Sequence, residues 1–268
     1  ADTIGGISGS RGLVIVMCGL IGAIIWNLIT WWFGLPSSSS HALIGGLVGS
    51  ALLANATVHW TTIKDKVLIP MVLSPTIGFA LAFVVMLAFL WLLRSQNPHK
   101  VNRSFRFLQT GSAAALALGH GLQDAQKTMG VIVLALATAM PATYHTDHLP
   151  WWVVLLAASA ISAGTYAGGW RIMRTLGRKI IDMDPPSGFA AESVATGVLY
   201  VMALHLHAPV STTHTITAAV MGAGATKGRG KVRWSMAGQI VTAWVLTFPA
   251  AGLAAAACFG VASLLPGI

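Results

Sequence analysis

"PSSSSHALIGGLVG" at residues 36–49 and "PVSTTHTITAAVMG" at residues 209–222 decide how this chain is read. Each opens on a proline, passes through a hydroxyl run to a histidine, and continues as an apolar run ending in glycine. Pro36 thus matches Pro209, His41 matches His214 and Gly49 matches Gly222, without a gap. Serine runs ordinarily mark flexible linkers. The first of these, however, follows "VIVMCGLIGAIIWNLITWWFG", residues 14–34, and leads into another apolar stretch. The hydroxyls therefore belong to a greasy environment.

The 268 residues are 55% hydrophobic and 9% charged, where a soluble domain carries about 25% charged residues. This composition is that of a membrane protein, and 29 glycines agree with it. The net charge of +9 does not indicate nucleic acid. The basic residues gather in short loops, Arg94–Arg106, Arg171–Lys179 and Lys227–Arg233, as cytoplasmic loops of membrane proteins do. The expected surroundings are thus the lipid bilayer, in the plasma (inner) membrane. Cys18 and Cys258 both lie in apolar runs and read as small buried hydrophobes.

A bilayer span needs roughly 20 apolar residues. Residues 12–33, 67–94, 149–169, 189–206 and 237–265 qualify. Residues 106–140 are too long for one span and are interrupted by "GHGLQDAQKTMG", whose Gly119, Gly121 and Gly130 allow the helix to break. Residues 36–54 and 209–225 are short. Short or interrupted segments are expected where helices break around a transported solute.

The correspondence continues downstream, where Pro75 and Gly78 match Pro249 and Gly252 with the register shifted by a single position. Residues 12–94 and 189–265 are two copies of one unit. With all three basic clusters in the cytoplasm, 56–66 faces out while its mate 226–234 faces in, so the copies are inverted. The expected fold is an all-α polytopic membrane protein of two inverted repeats, with short or broken helices meeting near the midplane. It divides as 1–94, first repeat; 95–188, linking helices and the start of the second repeat; and 189–268, the rest of the second repeat. "GHGLQDAQKTMG" lies farther ahead of Pro209 than Ala1 lies ahead of Pro36. Its mate would fall before residue 1, so either the first repeat lost its opening or the chain is a fragment, and a fragment is the preferred expectation.

Pro36 and Pro209 suit the first turn of a helix. Hydroxyls at helix N-termini join free backbone N–H groups and the positive end of the dipole, an arrangement that binds anions. Two such ends would form a cradle of neutral donors from Ser38, Ser39 and Ser40 with Ser211, Thr212 and Thr213. The plainer reading is that these hydroxyls cap helices or bond back to i−4 carbonyls. His41 and His214 either pack or support the site by positioning hydroxyls and passing protons.

Asp124 is an ionisable group inside an apolar segment, which makes it a functional candidate. With Gln123 and Gln126 beside it, it could hold a hard cation through oxygen ligands or carry a proton. The alternative is a structural pair with Lys127 at i+3. Glu192 is either a second coupling carboxylate or an interfacial first-turn glutamate.

Together these motifs resemble the inorganic phosphate transporter (PiT) family, in which each of two inverted repeats carries a G-x-N-D-type motif followed by P-x-S-[ST]-[ST]-H. "HGLQDAQKTMG", both hydroxyl motifs and "PPSGFAAESVATGVLY" carry the resemblance, which covers essentially the whole chain. It implies phosphate uptake driven by Na⁺ or H⁺, usually by a homodimer, with the first repeat's Asn-Asp motif upstream. On this reading Ser38, Ser39, Ser40, Ser211, Thr212, Thr213 and Gln126 bind phosphate, while Asp124, Gln123 and Glu192 couple the ion. Asp124 and Gln123 would form the candidate sodium site, and His41, His214 and Lys127 would support it. No cofactor and no nucleic acid is expected. Gln123 stands where the family has asparagine, and its extra methylene moves the amide by roughly 1–1.5 Å, which disfavours a tight sodium site.

Three other readings compete. A sulfate permease of the same family would carry an anion that offers Asp124 no proton. A cation channel would use Asp124 in a filter. An intramembrane Ser/His hydrolase would lose all activity with one Ser→Ala change. The transport reading is preferred to an enzyme.

Overall fold

In the computed structural model the described residues are 4–5, 9–204, 210–228 and 230–265. They fold as helices: α1 (Gly9–Phe33), α2 (Ser39–Leu53), α3 (Trp60–Ile63), α4 (Ile69–Leu92), α5 (Pro98–Ala139), α6 (Trp151–Gly168), α7 (Trp170–Arg174), α8 (Pro185–Leu204), α9 (Thr212–Ala225) and α10 (Trp234–Ala262). Wider turns at Lys64–Leu68 and Thr175–Ile180 follow α3 and α7 without breaking the helical path. Two-residue strands β1 (Ile4–Gly5) and β2 (Thr57–Val58) pair antiparallel beside the start of α1. The fold is the expected all-α membrane fold. Gly9–Phe33, Trp60–Leu92, Trp151–Gly168 and Trp234–Ala262 are each long and apolar enough to cross a bilayer. Large apolar side chains such as Leu28, Val84, Leu155 and Leu253 stand exposed on these helices. That is a liability in water and the expected outer surface in lipid.

α2 and α9, the helices of the two hydroxyl motifs, have only 15 and 14 residues. At a rise of about 1.5 Å per residue each is about 20 Å long. A bilayer core of about 30 Å is more than either can span. α2 packs between α1 and α10, and α9 packs between α4 and α8. The contacts are close because both use glycine. A Cβ on Gly49 would lie 2.1 Å from the Gly252 carbonyl, and one on Gly222 would lie 2.2 Å from the Phe79 carbonyl. These two glycines are the matched ends of the two hydroxyl motifs, so α2 and α9 seat on α10 and α4 in the same way. Alanines 190, 191, 195, 218, 219 and 223 fill the surrounding core, the small-residue packing that brings membrane helices together.

The three basic clusters share one end of the molecule. Phe89, Phe105 and Phe189 meet there at centroid separations of 5.2–6.0 Å, joining the end of α4 to the starts of α5 and α8. Lys227 pairs with Asp184 at 2.7 Å, and Arg233 lies 3.5 Å from Asp182. Burial pushes the Asp184 carboxyl up, but hydrogen bonds from Lys227 and Ser187 outweigh this and hold it below the usual carboxylate range. Arg171 stacks over Trp31 and Trp32 at the end of α1. At the opposite end, Arg11 donates to the Ala54 carbonyl, and Ile15, Leu47, Leu134 and Phe259 pack together. Hence α1 and α4 end among the basic clusters whereas α8 and α10 begin there. α9 runs toward that end, and α2 runs away from it.

Two local expectations need correction. α5 is a single helix of 42 residues and does not break at Gly119, Gly121 or Gly130. Nothing between His99 and Ala139 is proline, and glycine alone costs a helix only about 1 kcal/mol. Gly119 instead admits the ring of Tyr200, 3.1 Å from where its Cβ would be. Pro36 is not in the first helical turn, because α2 begins at Ser39 with Ser38 as its cap. Pro209 lies outside the described residues.

Candidate functional site

The two hydroxyl motifs start their helices identically. Ser38 (φ −96°, ψ 112°) and Ser211 (φ −82°, ψ 109°) are extended residues at the N-caps. Their side chains accept from the backbone N–H of His41 and His214, each at 3.2 Å. A cap of this kind stabilises a helix by typically about 1 kcal/mol. The plain capping reading therefore holds for these two hydroxyls, which are buried and turned to their own helices.

The helix starts also meet. The rings of His41 and His214 lie 4.9 Å apart in an edge-to-face arrangement. Since α2 and α9 pack on different neighbours along their lengths, they touch head to head rather than side by side. Trp244 locks the junction by stacking on His214 at 4.0 Å while donating to the Pro36 carbonyl at 2.8 Å. Both histidines are buried, and among the described residues their ring nitrogens have no hydrogen-bond partner.

α5 crosses this junction and presents His120, Asp124 and Lys127. Positions i, i+4 and i+7 share one face of a helix. Lys127 Nζ donates to Ser40 Oγ at 2.6 Å, to the Val210 carbonyl at 3.1 Å and to Asp124 Oδ1 at 3.4 Å. Asp124 Oδ2 accepts from Ser39 Oγ at 3.4 Å and lies 3.7 Å from His120 Nδ1. His120 Nδ1 in turn shares a hydrogen bond with Thr212 Oγ1 at 2.9 Å. Ser39 and Thr212, one from each motif, are thus linked through two side chains of α5. The Asp124–Lys127 pair expected as an alternative does form, as part of this group.

Ser39, Ser40, Asp124 and Lys127 form the polar end of a cavity of about 670 Å³ whose remaining wall is largely apolar and comes mostly from α1 and α5. A mainly apolar cavity with a few converging polar groups is the usual form of a small-solute site. Thr212 does not line this cavity and joins the group through His120.

The remaining candidates go elsewhere. Gln126 faces a separate cavity with Met129, Asp147 and His148, because i+2 from Asp124 is on the other side of the helix. Gln123 turns to α8 and donates to the Leu199 carbonyl at 3.1 Å, so its amide and the Asp124 carboxylate serve different neighbours. Glu192 accepts from Ser112 at 2.6 Å and from Gln109 at 3.3 Å. Ser112 is twelve residues before Asp124 on α5, about 18 Å along the axis, so Glu192 is not part of the junction. Thr213 is half-buried and adds no hydrogen bond to the group among the described residues. His120 is the member of the group that sequence reasoning misses, although its i, i+4 spacing to Asp124 is a signal for it.

The Phosphate transporter family model matches residues 1–255. A Rhizobium meliloti protein named "Probable low-affinity inorganic phosphate transporter" is 46% identical over 94% of this chain and 75% of its own length. A Mycobacterium tuberculosis protein of the same name is 43% identical over 95% of this chain and 61% of its own length, and a Bacillus subtilis one is 39% identical over 89% and 72%. The chain therefore spans roughly three fifths to three quarters of these relatives. A solved structure titled "The sodium-dependent phosphate transporter" superposes with a TM-score of 0.80 over 94% of this chain and 80% of its own, at 24% identity, a likeness of fold. This is an integral membrane protein, and its bacterial relatives put it in the plasma membrane. With the apolar spans, both hydroxyl motifs and the family match in agreement, the chain belongs to the phosphate transporter family, whose members are transport proteins rather than enzymes.

Proposed function

We propose that the chain is a secondary active transporter that moves inorganic phosphate by alternating access, coupled to H⁺ or Na⁺. Its units are two inverted repeats, with 1–94 the first, 95–188 the linking helices and the start of the second, and 189–268 the rest of the second; the homodimer implied by the resemblance is part of the proposal. The observation that carries the reading is the head-to-head meeting of α2 and α9 at His41 and His214, with Asp124 and Lys127 beside it. Each helix N-terminus contributes about half a positive charge. Ser39, Ser40 and Thr212 supply neutral donors, which bind an anion weakly enough to release it. The opposed directions of α1 and α4 against α8 and α10 support inversion.

Asp124 gives the coupling a physical reason. A carboxylate about 4 Å from an anionic phosphate oxygen costs about 4 kcal/mol per charge pair at an effective dielectric of 20. Phosphate is therefore admitted only with positive charge at Asp124. Sulfate is the second reading, and the chemistry at Asp124 disfavours it: hydrogen phosphate can donate a hydrogen bond to the carboxylate, and sulfate cannot. Uptake of radiolabelled phosphate into proteoliposomes tests the reading. Saturable, gradient-dependent accumulation that a large excess of sulfate leaves intact is expected. Uptake blocked equally by sulfate would favour the permease, and non-saturating flux would favour a channel.

A further inference from the structure

Lys127 is seated as a bound cation would be. An ammonium carries three N–H donors, and each has an oxygen here: Ser40 Oγ at 2.6 Å, Val210 O at 3.1 Å and Asp124 Oδ1 at 3.4 Å. The oxygens come from three parts of the fold, namely α2, the chain entering α9, and α5 itself. A hydroxyl, a carbonyl and a carboxylate converging on one point are the hard donors that otherwise hold a metal cation. The side chain is only 17% exposed.

We infer that Lys127 is a tethered cation occupying the position a sodium ion would need, so that this chain binds and moves phosphate without sodium. The inference rests on the transporter reading above and names the ion for it. The ammonium supplies the positive charge that Asp124 requires, and it ties the first opening to the second through Ser40 and Val210. An alkali ion cannot share the same three oxygens with it. The proton is then the mobile cation, and the titratable groups around the junction are Asp124 and His120 on α5, His41 on α2 and His214 on α9.

The test uses the protein in detergent and in proteoliposomes, with sodium or choline as the only added monovalent cation. Wild type should bind phosphate within about twofold in the two media and should accumulate it in choline under an imposed pH gradient. Lys127→Asn removes the charge and offers an amide oxygen in its place. Its phosphate affinity in choline should fall at least about tenfold, and sodium should restore part of the loss. Accumulation by wild type only with sodium overturns the inference, and that arm needs no variant. So does a folded Lys127→Asn protein whose phosphate affinity does not respond to sodium. Absence of phosphate binding by wild type in either medium would instead remove the transporter reading itself.

Discussion

At Ser38 and again at Ser211 the chain makes the same start: an extended serine, a hydroxyl accepting from the N–H three residues on, and a histidine whose ring meets its counterpart. The side chains that attend the two starts differ. Ser39 and Ser40 face a carboxylate and an ammonium, whereas Thr212 faces an imidazole and Val210 offers only its carbonyl. All of those partners belong to α5. The matched motifs thus account for the backbone of the junction, and among the described residues α5 accounts for the charge beside it. A neutral donor set made twice can hold an anion, while the charged set on α5 can link that anion to a cation.

The largest effect that would break or sharpen this contrast belongs to Asp124. Asp124→Asn keeps size and hydrogen bonding and removes the charge, so gradient-driven accumulation should fall to the equilibrium level while phosphate exchange across liposomes persists. Retention of wild-type accumulation with the same ion dependence would make Asp124 structural. The next effect probes what the two openings share. Gly49→Ala and Gly222→Ala each force a Cβ against a backbone carbonyl at 2.1 and 2.2 Å. Overpacking of this sort costs about 1–3 kcal/mol, and thermal unfolding in detergent should reveal similar losses for both. A loss at only one would mean that the copies are not packed alike. A more selective effect separates matched positions. Ser40→Ala removes an acceptor from Lys127, where a hydrogen bond to a charged group contributes about 1.5–3 kcal/mol, and phosphate affinity should drop at least about tenfold. Thr213→Ala, at the equivalent place in the second motif, should stay within about twofold. Equal losses from both changes would contradict the asymmetry.

Much of this is legible in the sequence. The repeat, the short helices, the hydroxyl openings and the crowding around Asp124 follow from spacing and composition. What the sequence hides turns on three-dimensional neighbours. Glycines in α5 look like breaks, yet Gly119 is there for Tyr200, and only the packed α8 reveals that. Gln126 looks like a ligand by proximity to Asp124 in sequence, but helical phase turns it to another cavity. Glu192 looks like a coupling group because it is charged in an apolar run, and its actual partners, Gln109 and Ser112, lie three turns or more from Asp124 along α5. His120 is readable from its phase with Asp124 and Lys127, four and seven residues on along one helix face. The sodium in the name of the solved relative belongs to that protein, and at 24% identity only the fold carries over.

The central claim is that one phosphate is held by hydroxyls from both openings. Equilibrium binding of phosphate to wild type, Ser39→Ala, Thr212→Ala and the double variant tests it most directly. Each lost neutral hydrogen bond is worth about 0.5–1.5 kcal/mol. Each single change should therefore weaken affinity about 2- to 13-fold at one phosphate per chain, and the double variant should be weaker than either. Thr212→Ala binding phosphate as wild type does, while Ser39→Ala is impaired, would confine the anion to the first opening and contradict the account.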